Sequence, residues 1–70
     1  MPENNVEFVC LYNMPGEGLV AEIKYESESL LYNRQGLQYR ILKRKQDGAD
    51  TSVEESALAQ MNLLSVPHSL

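Results

Sequence analysis

From Leu19 to Glu26 the chain alternates side chains strictly. Leu19, Ala21, Ile23 and Tyr25 fall on one side, and Val20, Glu22, Lys24 and Glu26 on the other. A period of two puts alternate residues on opposite faces of a β-strand, so this stretch reads as a strand of about 19–26 with one face to bury and one to wet. Such a strand needs neighbours to pair with and a layer to cover its apolar face.

Val6-Glu7-Phe8-Val9-Cys10-Leu11-Tyr12 is rich in β-branched and aromatic residues and reads as a strand of about 6–12. Strict alternation groups Val6, Phe8, Cys10 and Tyr12 against Glu7, Val9 and Leu11. Both faces are then largely apolar, which predicts a central or doubly covered strand. Pro15-Gly16 suits the middle of a type II turn between the two strands, because Pro fixes φ near −65° and Gly accepts the positive φ.

Ser27-Glu28-Ser29 interrupts the pattern, and a short strand of about 29–32 follows. The competing reading has Ser27 capping a short helix through Arg34, with Gly36 just past its end. The strand reading is preferred. Asn33-Arg34-Gln35-Gly36 then reads as a hairpin turn, with Asn bonding its own backbone and Gly at positive φ. It leads into a fourth strand of about 37–44. There Leu37, Tyr39 and Ile41 are expected in the core, and Gln38, Arg40 and Arg44 in water. A short repeat supports this: Leu11-Tyr12-Asn13 with Gly16 recurs as Leu31-Tyr32-Asn33 with Gly36. It predicts the same strand, turn and strand twice.

Gln46 to Asp50 reads as a linker. Ser52 with Glu55 three residues later fits a capping box, and Val53, Ala57, Met61 and Leu64, with Leu58 beside them, recur at helical spacing. The expectation is a helix of about 53–64, which Pro67 keeps from continuing, followed by a loose tail of 65–70. The fold class is therefore α+β: a small antiparallel meander of three to four strands, in two hairpins, with one C-terminal helix.

Seventy residues make one small domain, whose core supplies only ~3–5 kcal/mol of net stability. Chains of this size usually add a disulfide, a metal or a partner. One cysteine and one histidine, Cys10 and His68, exclude an internal disulfide and a Cys/His zinc site. Self-association is the remaining route, so a homodimer is expected, with the helix stripe Val53, Ala57, Leu58, Met61 and Leu64 as its candidate interface. The polar, acidic start of the chain does not resemble a signal peptide, no apolar run reaches membrane-spanning length, and the free thiol suits a reducing compartment. A cytoplasmic location is expected, with no membrane partner.

Charge is segregated beneath the net value of −4. Five of the six basic residues, Arg34, Arg40, Lys43, Arg44 and Lys45, lie in one short segment between two acidic flanks. These five are the candidate partner-binding residues. Pairing with the Glu-rich strand 19–26, or protection of a sheet edge, ranks first for them. A protein partner with an acidic patch ranks second, and nucleic acid third. Tyr39 is expected to point into the core, away from the cations, which weakens a base-stacking reading.

No catalytic, metal or cofactor site is expected. Cys10 has no neighbouring base and reads as a small buried hydrophobe. Glu26 and Glu28 lack further ligands, and Gly16-Glu17-Gly18 lacks the lysine and spacing of a phosphate loop. The sequence therefore predicts a non-enzymatic interaction module or regulator, acting through a sheet edge or its C-terminal helix. Its partner is another protein or itself, and nucleic-acid binding through 34–45 is the alternative.

Overall fold

A computed structural model describes residues 5–26 and 28–65. Strands β1 (Val6–Met14), β2 (Gly18–Tyr25) and β3 (Glu28–Asn33) form an antiparallel sheet in the order β1-β2-β3. Helices α1 (Arg34–Gln46) and α2 (Ser52–Ser65) follow. The α+β class and the antiparallel meander are as the sequence implies, but the described residues form three strands and two helices. The candidate cap Ser27, the tail residues 66–70 and His68 lie outside the described residues.

Helix α1 replaces the expected fourth strand 37–44. Asn33 is not the start of a hairpin turn: its side chain accepts from the Gly36 backbone N–H at 2.7 Å, making it the N-cap of α1. Once helical, Leu37, Ile41 and Arg44 share a face and are buried. Leu37 and Ile41 are four residues apart, a separation that satisfies both periods. Tyr39 decides between them, and it is 63 % exposed rather than in the core. Arg44, expected in water, is buried instead. Positive charge at Lys43, Arg44 and Lys45 suits the helix C-terminus. The supposed linker contains a Schellman closure. Gly48, at φ +82, donates to the Lys45 carbonyl at 3.0 Å, and Ala49 donates to Arg44 at 2.9 Å.

The two copies of the Leu-Tyr-Asn repeat thus fold differently. In the first, Glu17 N–H donates to the Met14 carbonyl at 3.0 Å and Gly16 sits at φ +81, the expected Pro-Gly turn. In the second, the Asn side chain caps a helix, because no Pro-Gly pair imposes a turn there. Asn33→Ala is therefore expected to destabilise the domain by about 0.5–2 kcal/mol. An unchanged urea midpoint would refute the cap.

Strand β1, expected to be central or covered on both sides, is an edge of the sheet, and β2 is central. The register slips between Phe8 and Cys10, where Val9 forms a bulge. Val6 and Phe8 pair with Tyr25 and Ile23, whereas beyond the bulge Leu11 pairs with Ala21. Val6, Phe8 and Leu11 therefore join Leu19, Leu30 and Tyr32 around the buried cluster of Ala21, Ile23, Tyr25, Leu37, Ile41, Ala57 and Met61. Fully burying one Ile, Leu or Met stabilises by about 1.5–3 kcal/mol, and Ile23, Leu37 and Met61 are the largest apolar side chains buried in full.

Helix α2 begins one residue before its expected first position. Thr51, not Ser52, precedes it; its hydroxyl donates to Glu55 Oε2 at 2.8 Å, and Asp50 Oδ1 accepts from Ser52 N–H at 3.0 Å. Ala57 and Met61 are buried, while Val53 and Leu58 are half-buried. Leu64, expected to complete the stripe, is 67 % exposed.

Candidate interaction surface

The five candidate cations do not form one surface. Arg44 crosses to α2, where its Nε lies 2.7 Å from Glu54 Oε2. Its guanidinium also donates to the Asp50 carbonyl at 3.2 Å. Lys45 Nζ lies 2.9 Å from Glu55. Arg40 stacks 4.5 Å above the Tyr25 ring, and its Nε donates to the Tyr25 hydroxyl at 3.4 Å. The ion pairs of Arg44 and Lys45 thus run to Glu54 and Glu55 of α2. Arg34 borders a cleft of about 480 Å³ with Glu17, Leu19 and Met61. Lys43 is exposed on the outer side of α1.

Glu54 is the residue that sequence reasoning missed. It is fully buried, and Tyr25 donates a 2.8 Å hydrogen bond to its Oε2. Its Oε1 has no hydrogen-bond partner among the described residues. Burial pushes the Tyr25 phenol above its ordinary value; Arg40 pulls against this and Glu54 adds to it. The hydroxyl therefore stays protonated and available as a donor at neutral pH. The available signal was spacing: Glu54 precedes Ala57 by three residues and Met61 by seven, on the apolar side of α2. This network clamps α1, α2 and β2 together, so the other faces of those elements are held in fixed positions.

Among the described residues, no helix covers the second face of the sheet. Both helices lie on the Leu19-Ala21-Ile23-Tyr25 side. The bulge at Val9 turns Cys10, Tyr12 and Met14 to the other side, where they pair with Glu22, Val20 and Gly18. Leu31 joins them from β3, opposite Glu22. Val9, Tyr12 and Leu31 are 46, 43 and 50 % exposed. Val20 forms a buried floor, and Cys10, expected to be covered, is half-buried. Two adjoining depressions of about 310 and 400 Å³ share Met14 and Leu31; one reaches Glu17 and the other Glu22. Tyr12 donates to Glu22 at 2.6 Å, and the Cys10 and Glu22 side chains hold its phenol above the ordinary value.

The groove on this face is lined by apolar side chains, with Glu17 beside one depression and Glu22, at mid-strand between Cys10 and Leu31, beside the other. The basic residue of this face is Lys24, whose register partner on β1 is Glu7. Such an arrangement can seat apolar side chains and favours cations around them. Strict alternation had hidden it, because the bulge changes which β1 residues face outward. Among the described residues, no helix is long and apolar enough to cross a membrane and no acidic, Cys or His cluster is placed to hold a metal ion. The chain matches no family model, no curated protein and no solved structure.

Proposed function

We propose that this chain is a non-catalytic protein-interaction module whose receptor surface is the open face of the sheet. The observation that carries the reading is the groove of Tyr12, Met14 and Leu31 over buried Val20, with Glu17 and Glu22 in its lining. In a two-layer domain of this size, half of the sheet's surface is left without a layer. These two carboxylates favour a partner element that carries apolar anchors flanked by Lys or Arg, such as a basic amphipathic helix. The β1 and β3 edges bound the groove, so a sheet-edge contact is part of the same surface.

The test is a titration of the labelled protein with a synthetic Leu/Lys amphipathic helical peptide, followed by amide NMR. Shifts concentrated at 9–14, 20–22 and 29–33, weakening as salt rises, are expected. Shifts absent from those strands would refute the reading. The nucleic-acid alternative has one observation in its favour: Tyr39 is exposed on the same helix as Lys43 and Arg34. It has fewer cations to use, since Arg44 and Lys45 are paired to α2. A short RNA whose affinity falls steeply with salt, with shifts on α1, would favour it.

A further inference from the structure

We infer that the open sheet face receives the outer face of α1 from a second copy of this chain, so that copies join head to tail. This rests on reading that face as the receptor surface, and it names the occupant. The outer side of α1 has the chemistry that the groove calls for. Tyr39 and Leu42 are 63 and 53 % exposed at a spacing of three residues, and Lys43 lies one turn from Tyr39. With Arg44 and Lys45 engaged by Glu54 and Glu55, Lys43 is the cation of that side. Two apolar side chains with a lysine beside them on the helix meet an apolar groove whose lining includes the carboxylates of Glu17 and Glu22.

The alternative self-contact, sheet face on sheet face, joins two copies of a surface whose groove is lined by Glu17 and Glu22, in a chain of net charge −4. Helix on sheet instead brings Lys43 to those carboxylates. Dimensions also agree. The 13 residues of α1 span ~20 Å, and the nine residues of β1 span ~30 Å. The helix therefore lies along the strands without overrunning them.

The two surfaces are on opposite layers of the protomer: the groove is on the uncovered side of the sheet, and Tyr39 and Leu42 point away from the core that the helices share with its covered side. A pair of copies cannot satisfy both at once. The contact is heterologous, and it propagates as an open chain rather than closing as a two-fold dimer. One helix face on three strands covers less than the ~800 Å² per partner of a standard interface, so association is weak and concentration-dependent.

The experiment is sedimentation velocity over a range of concentrations, with two variants. Leu31→Glu disables the groove and Leu42→Glu disables the helix face. Both side chains are half-exposed, so both variants keep the fold, which circular dichroism checks. Wild-type protein is expected to grow beyond a dimer as concentration rises, and to shrink as salt is added. Each variant alone loses at least about tenfold in association constant. An equimolar mixture regains one intact joint and stops at a 1:1 heterodimer. A wild type that is monomeric throughout, a mixture that stays monomeric, or a closed dimer that survives in either variant overturns the inference. If wild type stays monomeric while the Leu/Lys peptide still shifts the sheet residues, the self-contact fails and the receptor reading stands. If the peptide leaves those residues untouched and the association ignores Leu31→Glu, both fail.

Discussion

Glu54→Ala is expected to cost about 3–5 kcal/mol, because it removes the carboxylate that lies 2.7 Å from the buried Arg44 charge and accepts from the Tyr25 hydroxyl. A domain of this size has about that much net stability, so the variant should be largely unfolded at room temperature. The comparison that isolates the charge is the double replacement Arg44→Met with Glu54→Leu. Exchanging both partners of a buried pair for apolar side chains of similar volume is often neutral or stabilising. Urea midpoints of both single variants and the double variant form a cycle, and a large coupling energy is expected. A Glu54→Ala midpoint within about 1 kcal/mol of wild type would mean that water replaces the carboxylate without cost, which the complete burial of Glu54 argues against. The pair also holds α1 on α2. Its loss should therefore disorder the outer face of α1 along with the core.

The sheet was legible because its signals are local. Leu19 to Tyr25 alternates, Pro15-Gly16 defines its own turn, and both agree with the observed strands. Helix α2 was legible for the same reason, with Ala57 and Met61 at the expected spacing in the core. Helix α1 was not, and the cause is a coincidence of periods. Leu37, Tyr39 and Ile41 match a strand, whereas Leu37, Ile41 and Arg44 match a helix only if an arginine is counted as buried. Nothing in the sequence alone says that Arg44 goes inside; its partner Glu54 lies ten residues further along and is also a charged residue. Two end signals did favour the helix: Asn33 as a cap, and Gly48 closing a segment that ends in three cations. Each has an innocent explanation in isolation, as a turn and as a linker. They specify a helix only when taken as the two ends of one element.

The open face of the sheet was illegible for a different reason. A single extra residue at Val9 reverses the facing of every later side chain in β1. Period-two reasoning thus groups Phe8 with Tyr12, whereas Phe8 belongs to the core and Tyr12 to the groove. A bulge on an edge strand carries no compositional mark here, since Val9 is an ordinary strand former. The same feature that hides the groove from the sequence also makes it, by turning Tyr12 and Met14 outward beside Leu31.

Met61→Ala is expected to cost about 2–5 kcal/mol, whereas Leu64→Ala should stay within about 0.5 kcal/mol of wild type. The two lie one helical turn apart on the same side of α2, so periodicity assigns them equal weight. Their exposures differ completely: Met61 is 0 % and Leu64 67 % exposed. Met61 packs in the cluster with Ala21, Ile23, Leu37 and Ala57, and its truncation leaves a cavity bounded by two layers. Leu64 is mostly exposed, so its truncation removes few contacts. Thermal or urea unfolding of the two variants side by side separates these positions. Equal losses would require Leu64 to be covered in solution, by the chain itself or by another copy. In that case the loss at Leu64 should shrink on dilution if a second copy is the cover, and persist if the chain covers itself. A silent Met61→Ala would remove the premise that α2 supplies the second layer of the core.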